Sequence, residues 1–217
     1  MIACGKSLAQ SDYALFYWID EQEHIGSWIS SGCPAEFMED YTSSFEAIDP
    51  LSTQELARSG SRLVFLQSMT IGRRGIDDRW LNHLQQNNIS DEAELVFWKD
   101  GIALAGLALF RAGGRPFYSR DLFDWEAMRS FFEQSLYTHE TVRNRVLDRF
   151  LSQRCKCSIR EREVINLMVT GATNAEIADY LGVGLATVKT HVLSIFDKLG
   201  VSSRNAVISL THQVYLS

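Results

Sequence analysis

An α+β domain followed by a small all-α domain is the architecture this sequence predicts, and three observations predict it. Residues before about 140 mix strand-like apolar runs with helical stripes, whereas residues after about 157 show only helical periodicity, punctuated by capping residues and glycines. Charge divides near the same place: residues 151–217 hold seven basic side chains (Arg154, Lys156, Arg160, Arg162, Lys189, Lys198, Arg204) against five acids (Glu161, Glu163, Glu176, Asp179, Asp197). That leaves +2 in this stretch and −8 in the remainder of a chain whose net charge is −6. Finally, 217 residues are enough for two modest cores. The division expected is a first domain at 1–140, built as an antiparallel sheet with helices, a helical linker at 141–156, and a four-helix domain at 157–217.

In the first domain, residues 14–19 (Ala-Leu-Phe-Tyr-Trp-Ile) and 94–98 (Glu-Leu-Val-Phe-Trp) read as strands, rich in aromatic and branched side chains. A turn at Lys99, Asp100 and Gly101 leads into a partner strand at 102–111, which makes a hairpin. After the Gly113-Gly-Arg-Pro116 turn, Leu122, Trp125, Met128, Phe132 and Leu136 place a helix over 121–138. Val142, Val146, Leu147 and Phe150 form a further helical stripe, so the linker is expected to be ordered.

The second domain opens on Ser158 and Glu161, whose Ser-x-x-Glu spacing is that of a capping box and starts a helix at Ile159. Val164, Ile165, Leu167 and Met168 give it one apolar stripe, and Gly171 supplies the positive φ that ends it. Thr173 and Glu176 form a second capping box; the short helix they open turns Ile177, Ala178 and Leu181 inward and breaks at Gly182-Val-Gly184. Two short helices joined so tightly make a helix-turn-helix. The third helix, 185–199, has two unlike faces. Val188, Val192, Ile195 and Leu199 fall in one wedge and must face the core, while Lys189, Thr190, Leu193 and Ser194 point away. The leading part of that outer face has no acid, which suits entry into a major groove as well as it suits plain solvent. Ser202 and Ser203 start a fourth helix carrying Ala206, Val207 and Leu210 on one side.

Residues Arg160-Glu-Arg-Glu-Val164, Gly171-Ala-Thr-Asn-Ala-Glu-Ile-Ala178, Thr187-Val-Lys-Thr-His191, Ile195-Phe-Asp-Lys-Leu-Gly-Val201 and Arg204 agree in order, identity and spacing with the DNA-binding domain of the LuxR/GerE family, which this stretch closely resembles. The resemblance implies a cytoplasmic transcription regulator that binds double-stranded DNA as a homodimer. Its third helix would read the major groove, its fourth would dimerise, and two recognition helices would lie about 34 Å apart. By matched position, Lys189, Thr190 and Leu193 would face base edges or backbone, and Thr173, Asn174, Thr187 and Lys198 would hold phosphates or helix ends. His191 matches a histidine of the family and is expected to pack, half-buried, against the helix. Gly184 stands where the family has Ser, which removes one hydroxyl from the start of the recognition helix.

The order of elements in the first domain resembles GAF/PAS-like sensor domains. Phe37, Tyr41 and Asp49-Pro50 are similar to the Trp-x-x-x-Tyr and Asp-Pro segment of autoinducer-binding LuxR proteins, with Phe in place of Trp and an interval one residue shorter. The Trp and Gly that follow in that pocket have no clear counterparts, and Trp80 and Trp98 complete the candidate ligand set of Phe37, Tyr41 and Asp49. An acyl lactone, another small ligand, and a ligand-free domain that dimerises or binds a partner protein all remain open, and RNA polymerase is a further partner for such a regulator. A sigma-like promoter-recognition factor shares the Glu-Ile-Ala and Thr-Val-Lys pattern, but it calls for a helical first domain, and a receiver domain lacks its paired acids at a strand end.

No catalytic residue set, metal cluster or cofactor motif is expected. Cys4, Cys33, Cys155 and Cys157 read as reduced thiols; His24, His83 and His139 are scattered and expected at the surface. Asp77 and Asp78, among Arg73, Arg74 and Arg79, read as a solvated charged turn. The longest apolar run, 102–110, is too short to cross a bilayer, so no membrane association is expected.

Overall fold

The computed structural model describes residues 1–20, 22–70, 76–118 and 124–216. It divides into two units, Met1–Ser135 and Leu136–Ser217.

The first unit is an antiparallel sheet of five strands in the order β2-β1-β5-β4-β3, with β1 at Tyr13–Ile19, β2 at Ile25–Ser31, β3 at Leu63–Phe65, β4 at Asp91–Lys99 and β5 at Ile102–Arg111. Asp100 and Gly101 take φ of 51° and 75°, the paired left-handed conformation of a tight hairpin turn, and so join β4 to β5 as the sequence predicts. The three inner strands are buried on both faces, which is why β5 reads as a continuous Ala/Leu run without alternation. One face receives α1 (Ile2–Leu8) and α6 (Trp125–Tyr137); Gly5 lies close enough to Leu107 and Phe132 that a Cβ there would stand 2.8 Å and 3.3 Å from them. The other face receives α2 (Ala35–Asp40), extended by a π turn at Tyr41–Phe45 and a 3-10 turn at Glu46–Ile48, with α3 (Thr53–Ser59), α4 (Leu66–Thr70) and α5 (Asp78–Gln86). On that face Leu15, Tyr17, Ile19, Val96, Ala108 and Phe110 pack with Phe37, Tyr41, Leu56, Trp80 and Leu84. Strands β2 and β3, being short or solvent-facing, had no apolar signature to announce them.

Trp125, Met128, Phe132 and Leu136 are buried along α6, as its periodicity predicts; residues 121–123, including Leu122, lie outside the described residues, as do Arg73 and Arg74. Asp77 accepts a hydrogen bond from the Arg79 N–H to cap α5 and pairs with the Arg79 guanidinium at the surface, a solvated turn.

The second unit holds α7 (Glu140–Arg149), a π turn at Phe150–Arg154, α8 (Ile159–Val169), α9 (Asn174–Leu181), α10 (Leu185–Leu199) and α11 (Arg204–Leu216). Its core gathers Val164, Ile165, Met168, Ile177, Ala178, Val188, Ile195 and Val207, with Leu147 and Leu151 from the segment read as a linker. That segment packs against α11 and α8, so it builds the unit's core and is no mere connection.

Candidate functional site

The second unit positions α10 by hydrogen bonds as much as by packing. Ser158 and Thr173 each complete the reciprocal capping box expected of them. Glu161, 4% exposed, does more than cap: its carboxylate accepts from the Ser158 N–H, the Ser194 hydroxyl and the Lys198 ammonium, each at 2.6 Å. Burial alone would raise this carboxyl, but the hydrogen bonds from Lys198, Ser194 and Ser158 outweigh it and hold it at about 2. The start of α8 is thereby fastened to the second half of α10. At the other end of α8, the Arg204 guanidinium donates to the Met168 and Ala172 carbonyls at 2.8 and 2.7 Å, tying the start of α11 to the helix end and the turn that follows it.

These bonds revise the expectation for Ser194 and bear on the two roles open to Lys198. Ser194 is half-buried and turned toward α8, since a hydroxyl is small enough to sit beside Glu161 at the edge of the core. Lys198 serves a helix end: its ammonium is paired with the cap of α8 and does not stand free toward phosphate.

The remaining residues fall where their spacing puts them. Gly182, at φ 65°, ends α9, and Gly184 caps α10 without a side-chain hydrogen bond. Thr187, Lys189, Thr190 and Leu193 share the exposed face of α10, while Val188 and Ile195 are fully buried behind them. Leu193 is 68% exposed and Tyr180, on α9, 78%. The first turn carries no acid. Thr173 closes its hydroxyl on Glu176, at 2.8 Å, with Asn174 half-buried beside it; His191 is half-buried on α10.

In the first unit a cleft opens between the sheet and the helices of its second face. Phe37, Tyr41, Asp49 and Trp80, four of the five candidate ligand residues, line it together. Trp98 does not. It lies four residues past Glu94 on β4, about 13 Å along the strand, beyond a register shift at Phe97, and its indole N–H donates to the Ser61 carbonyl at 2.9 Å.

Among the lining residues that had gone unread are Tyr17, Glu92 and Glu94. The Glu-x-Glu spacing on one strand, which puts both carboxyls on the same face, was the available signal. Tyr17 on β1 donates its hydroxyl to Glu94 on β4 across the intervening strand β5. Its ring passes over Gly106, where a Cβ would overlap it, so that glycine is required by close approach. Tyr41 donates to Asp49 at 2.9 Å, and the Leu51 N–H donates to the same carboxylate at 2.8 Å. Burial pushes Asp49 up to about 7 and Glu94 up to about 8, against hydrogen bonds that favour the carboxylates. Glu92 is raised further by burial and then by the charges of Asp49, Glu94 and Asp91. His83, expected at the surface, is 2% exposed, its ring stacked 4.0 Å from Phe45 and 5.0 Å from Phe37. It lies on the apolar stripe of α5 beside Trp80 and Leu84, and burial lowers its pKa.

Two short helices in a tight turn, the second presenting an exposed acid-free face, define a helix-turn-helix DNA-binding domain. Residues 157–211 match the family model GerE, bacterial regulatory proteins of the luxR family, and this segment is a LuxR-family DNA-binding domain. Over 203 residues, 91% of this chain and 82% of the relative, the chain is 24% identical to the monoamine regulon transcriptional regulator of Klebsiella aerogenes. It is 48% identical over 52 residues to the probable transcriptional regulatory protein NarL of Mycobacterium tuberculosis, a match spanning 24% of either protein. Among solved structures, Escherichia coli SdiA aligns at 18% identity over 95% of this chain and 86% of that one, with a TM-score of 0.47. The N-acylhomoserine lactone dependent LuxR family factor CepR2 of Burkholderia cenocepacia aligns at 15% over 64% and 79%, with a TM-score of 0.45.

Proposed function

We propose that this protein is a sequence-specific transcription regulator that reads its operator as a homodimer through α10, with the first unit modulating it by binding a small ligand. The observation that carries the reading is the outer face of α10. Thr187, Lys189, Thr190 and Leu193 stand exposed on a helix whose opposite face is fixed in the core, and an exposed leucine with no packing role suits apolar contact with a thymine methyl group. Thr173 and Asn174, at the start of α9, would meet the DNA backbone at that helix N-terminus. Lys189 is the cation of that face, and its charge would act on phosphate or a base edge. The cleft in the first unit supports modulation by a ligand over a domain that only dimerises, because it is walled by aromatic rings and buried polar groups. The five-stranded sheet is unlike the helical polymerase-binding domain that a sigma-like factor requires.

Fluorescence anisotropy with the DNA upstream of its own gene tests this reading. The intact chain binds saturably, and affinity falls steeply as salt rises, because phosphate neutralisation releases counterions. Lys189→Ala costs about 1–3 kcal/mol if it contacts a base, or lowers the salt slope by about one if it contacts phosphate, with thermal unfolding unchanged. Binding that is absent or insensitive to salt overturns the proposal. A Lys189→Ala chain that loses stability but keeps its affinity overturns the assignment of that residue.

A further inference from the structure

We propose that the cleft of the first unit binds a small organic cation, a primary amine carried on an apolar or aromatic body. This inference rests on the ligand-modulated reading above and names the chemistry of its ligand.

Three carboxyl groups reach the cleft from two elements: Asp49, beyond the 3-10 turn that follows α2, and Glu92 and Glu94, on one face of β4. All are at most 5% exposed, and none of the described lining residues is basic. Buried acids are ordinarily paired, and here the Tyr17 and Tyr41 hydroxyls, the Leu51 N–H and a hydrogen bond between Glu92 and Glu94 meet only part of the demand. Two further observations point to a ligand. Glu92 Oε2 is buried with no hydrogen-bond partner, an acceptor awaiting a donor. Trp80 Nε1, from helix α5 on the other side of the cleft, is buried with no acceptor. An orphaned buried polar atom is costly to leave unpaired, so two in one cleft mark where ligand atoms would bind. An ammonium answers the first and an oxygen on the ligand's body the second.

The remaining walls fit that body. Phe37, Tyr41 and Trp80 offer ring faces, which attract a cation as well as an apolar group. A neutral acyl lactone brings one amide N–H for a carboxylate and leaves the others unmatched, whereas an ammonium brings three donors and a charge. Because Asp49, Glu92 and Glu94 hold protons strongly, a cation bound among them would take the place of protons.

The test uses the intact chain, followed by thermal unfolding and by titration of tryptophan fluorescence. The probes are 2-phenylethylamine and butylamine, with 2-phenylethanol as the uncharged counterpart and an acyl homoserine lactone as the competing class. The amines are expected to raise the melting temperature, and 2-phenylethylamine to bind at least about tenfold more tightly than its alcohol. Glu92→Gln keeps the shape and removes the charge; it is expected to weaken the amine about tenfold or more while leaving the alcohol unaffected. Equal binding of amine and alcohol, stabilisation by the lactone but by neither amine, no stabilisation by either amine, or unchanged amine affinity in Glu92→Gln each overturns the proposal. The comparison of amine with alcohol on the unmodified chain decides even if the variant does not fold. Anisotropy on the same samples separates the two readings: salt-sensitive DNA binding without amine binding removes the ligand class alone, and amine binding without DNA binding removes the regulator.

Discussion

Glu161 and Glu94 are both buried glutamates, and their surroundings send them in opposite directions. Glu161 sits among donors, with an ammonium, a hydroxyl and a backbone N–H on one carboxylate, and so stays ionised while it locks α8 to α10. Glu94 sits among other acids with one tyrosine hydroxyl and holds its proton up to about 8. At the same scale, Gly106 decides whether Tyr17 can reach Glu94 at all. In Gly106→Ala the new methyl group collides with the Tyr17 ring, and overpacking of this kind costs about 1–3 kcal/mol. We expect a lowered melting temperature and weaker binding of 2-phenylethylamine in that variant, with DNA affinity in the absence of ligand unchanged. A variant of wild-type stability and amine affinity would show that the ring has another route.

At the scale of elements, the capping boxes at Ser158 and Thr173 and the glycines Gly171, Gly182 and Gly200 fix where α8, α9 and α10 start and stop. All of these signals are local, so the helix-turn-helix was legible from the chain. The face of α10 was legible except for Ser194, because a periodicity argument cannot see that a buried glutamate on another helix recruits it. The role of α7 was harder to read. Its apolar stripe announced a helix but not its partner, and Leu147 and Leu151 complete the core of the second unit, 2% and 1% exposed. A fragment starting at 157 therefore lacks side chains whose loss ordinarily costs about 2–5 kcal/mol each. Calorimetry should show the fragment 157–217 melting well below the fragment 136–217, or not folding; equal melting temperatures would make the α7 contact dispensable.

For the whole molecule, the two units should respond to pH with opposite signs. Asp49 and Glu94 keep their protons up to about 7 and about 8 when folded, whereas unfolded carboxyls lose theirs near 4. The folded first unit therefore binds more protons over that window, and its stability falls as pH rises from about 4 to 8. Glu161 is depressed to about 2, so its contribution is complete above about 4.5 and is lost as pH falls toward 2. Thermal unfolding of the intact chain between pH 4.5 and 8 should show the first unit weakening, with Glu161 contributing no pH dependence there; below pH 4 the second unit should weaken. A first unit whose stability rises toward pH 8 would contradict the burial of its acids.

By itself, the sequence determined the LuxR-type domain, whose helices are delimited by caps and glycines a few residues apart, and the hairpin of β4 and β5, whose turn is the two residues Asp100 and Gly101. It also marked Phe37, Tyr41, Asp49 and Trp80. What only the tertiary structure decided is the company those four keep. Tyr17, Glu92 and Glu94 join them because the register of β1, β5 and β4 lays one strand's tyrosine over another's glycine beside a third's glutamate. Trp98 is excluded because its place on β4 carries it past the cleft. Spacing along one element is written in the chain. The meeting of side chains from strands nearly eighty residues apart depends on sheet order, and no local pattern encodes it.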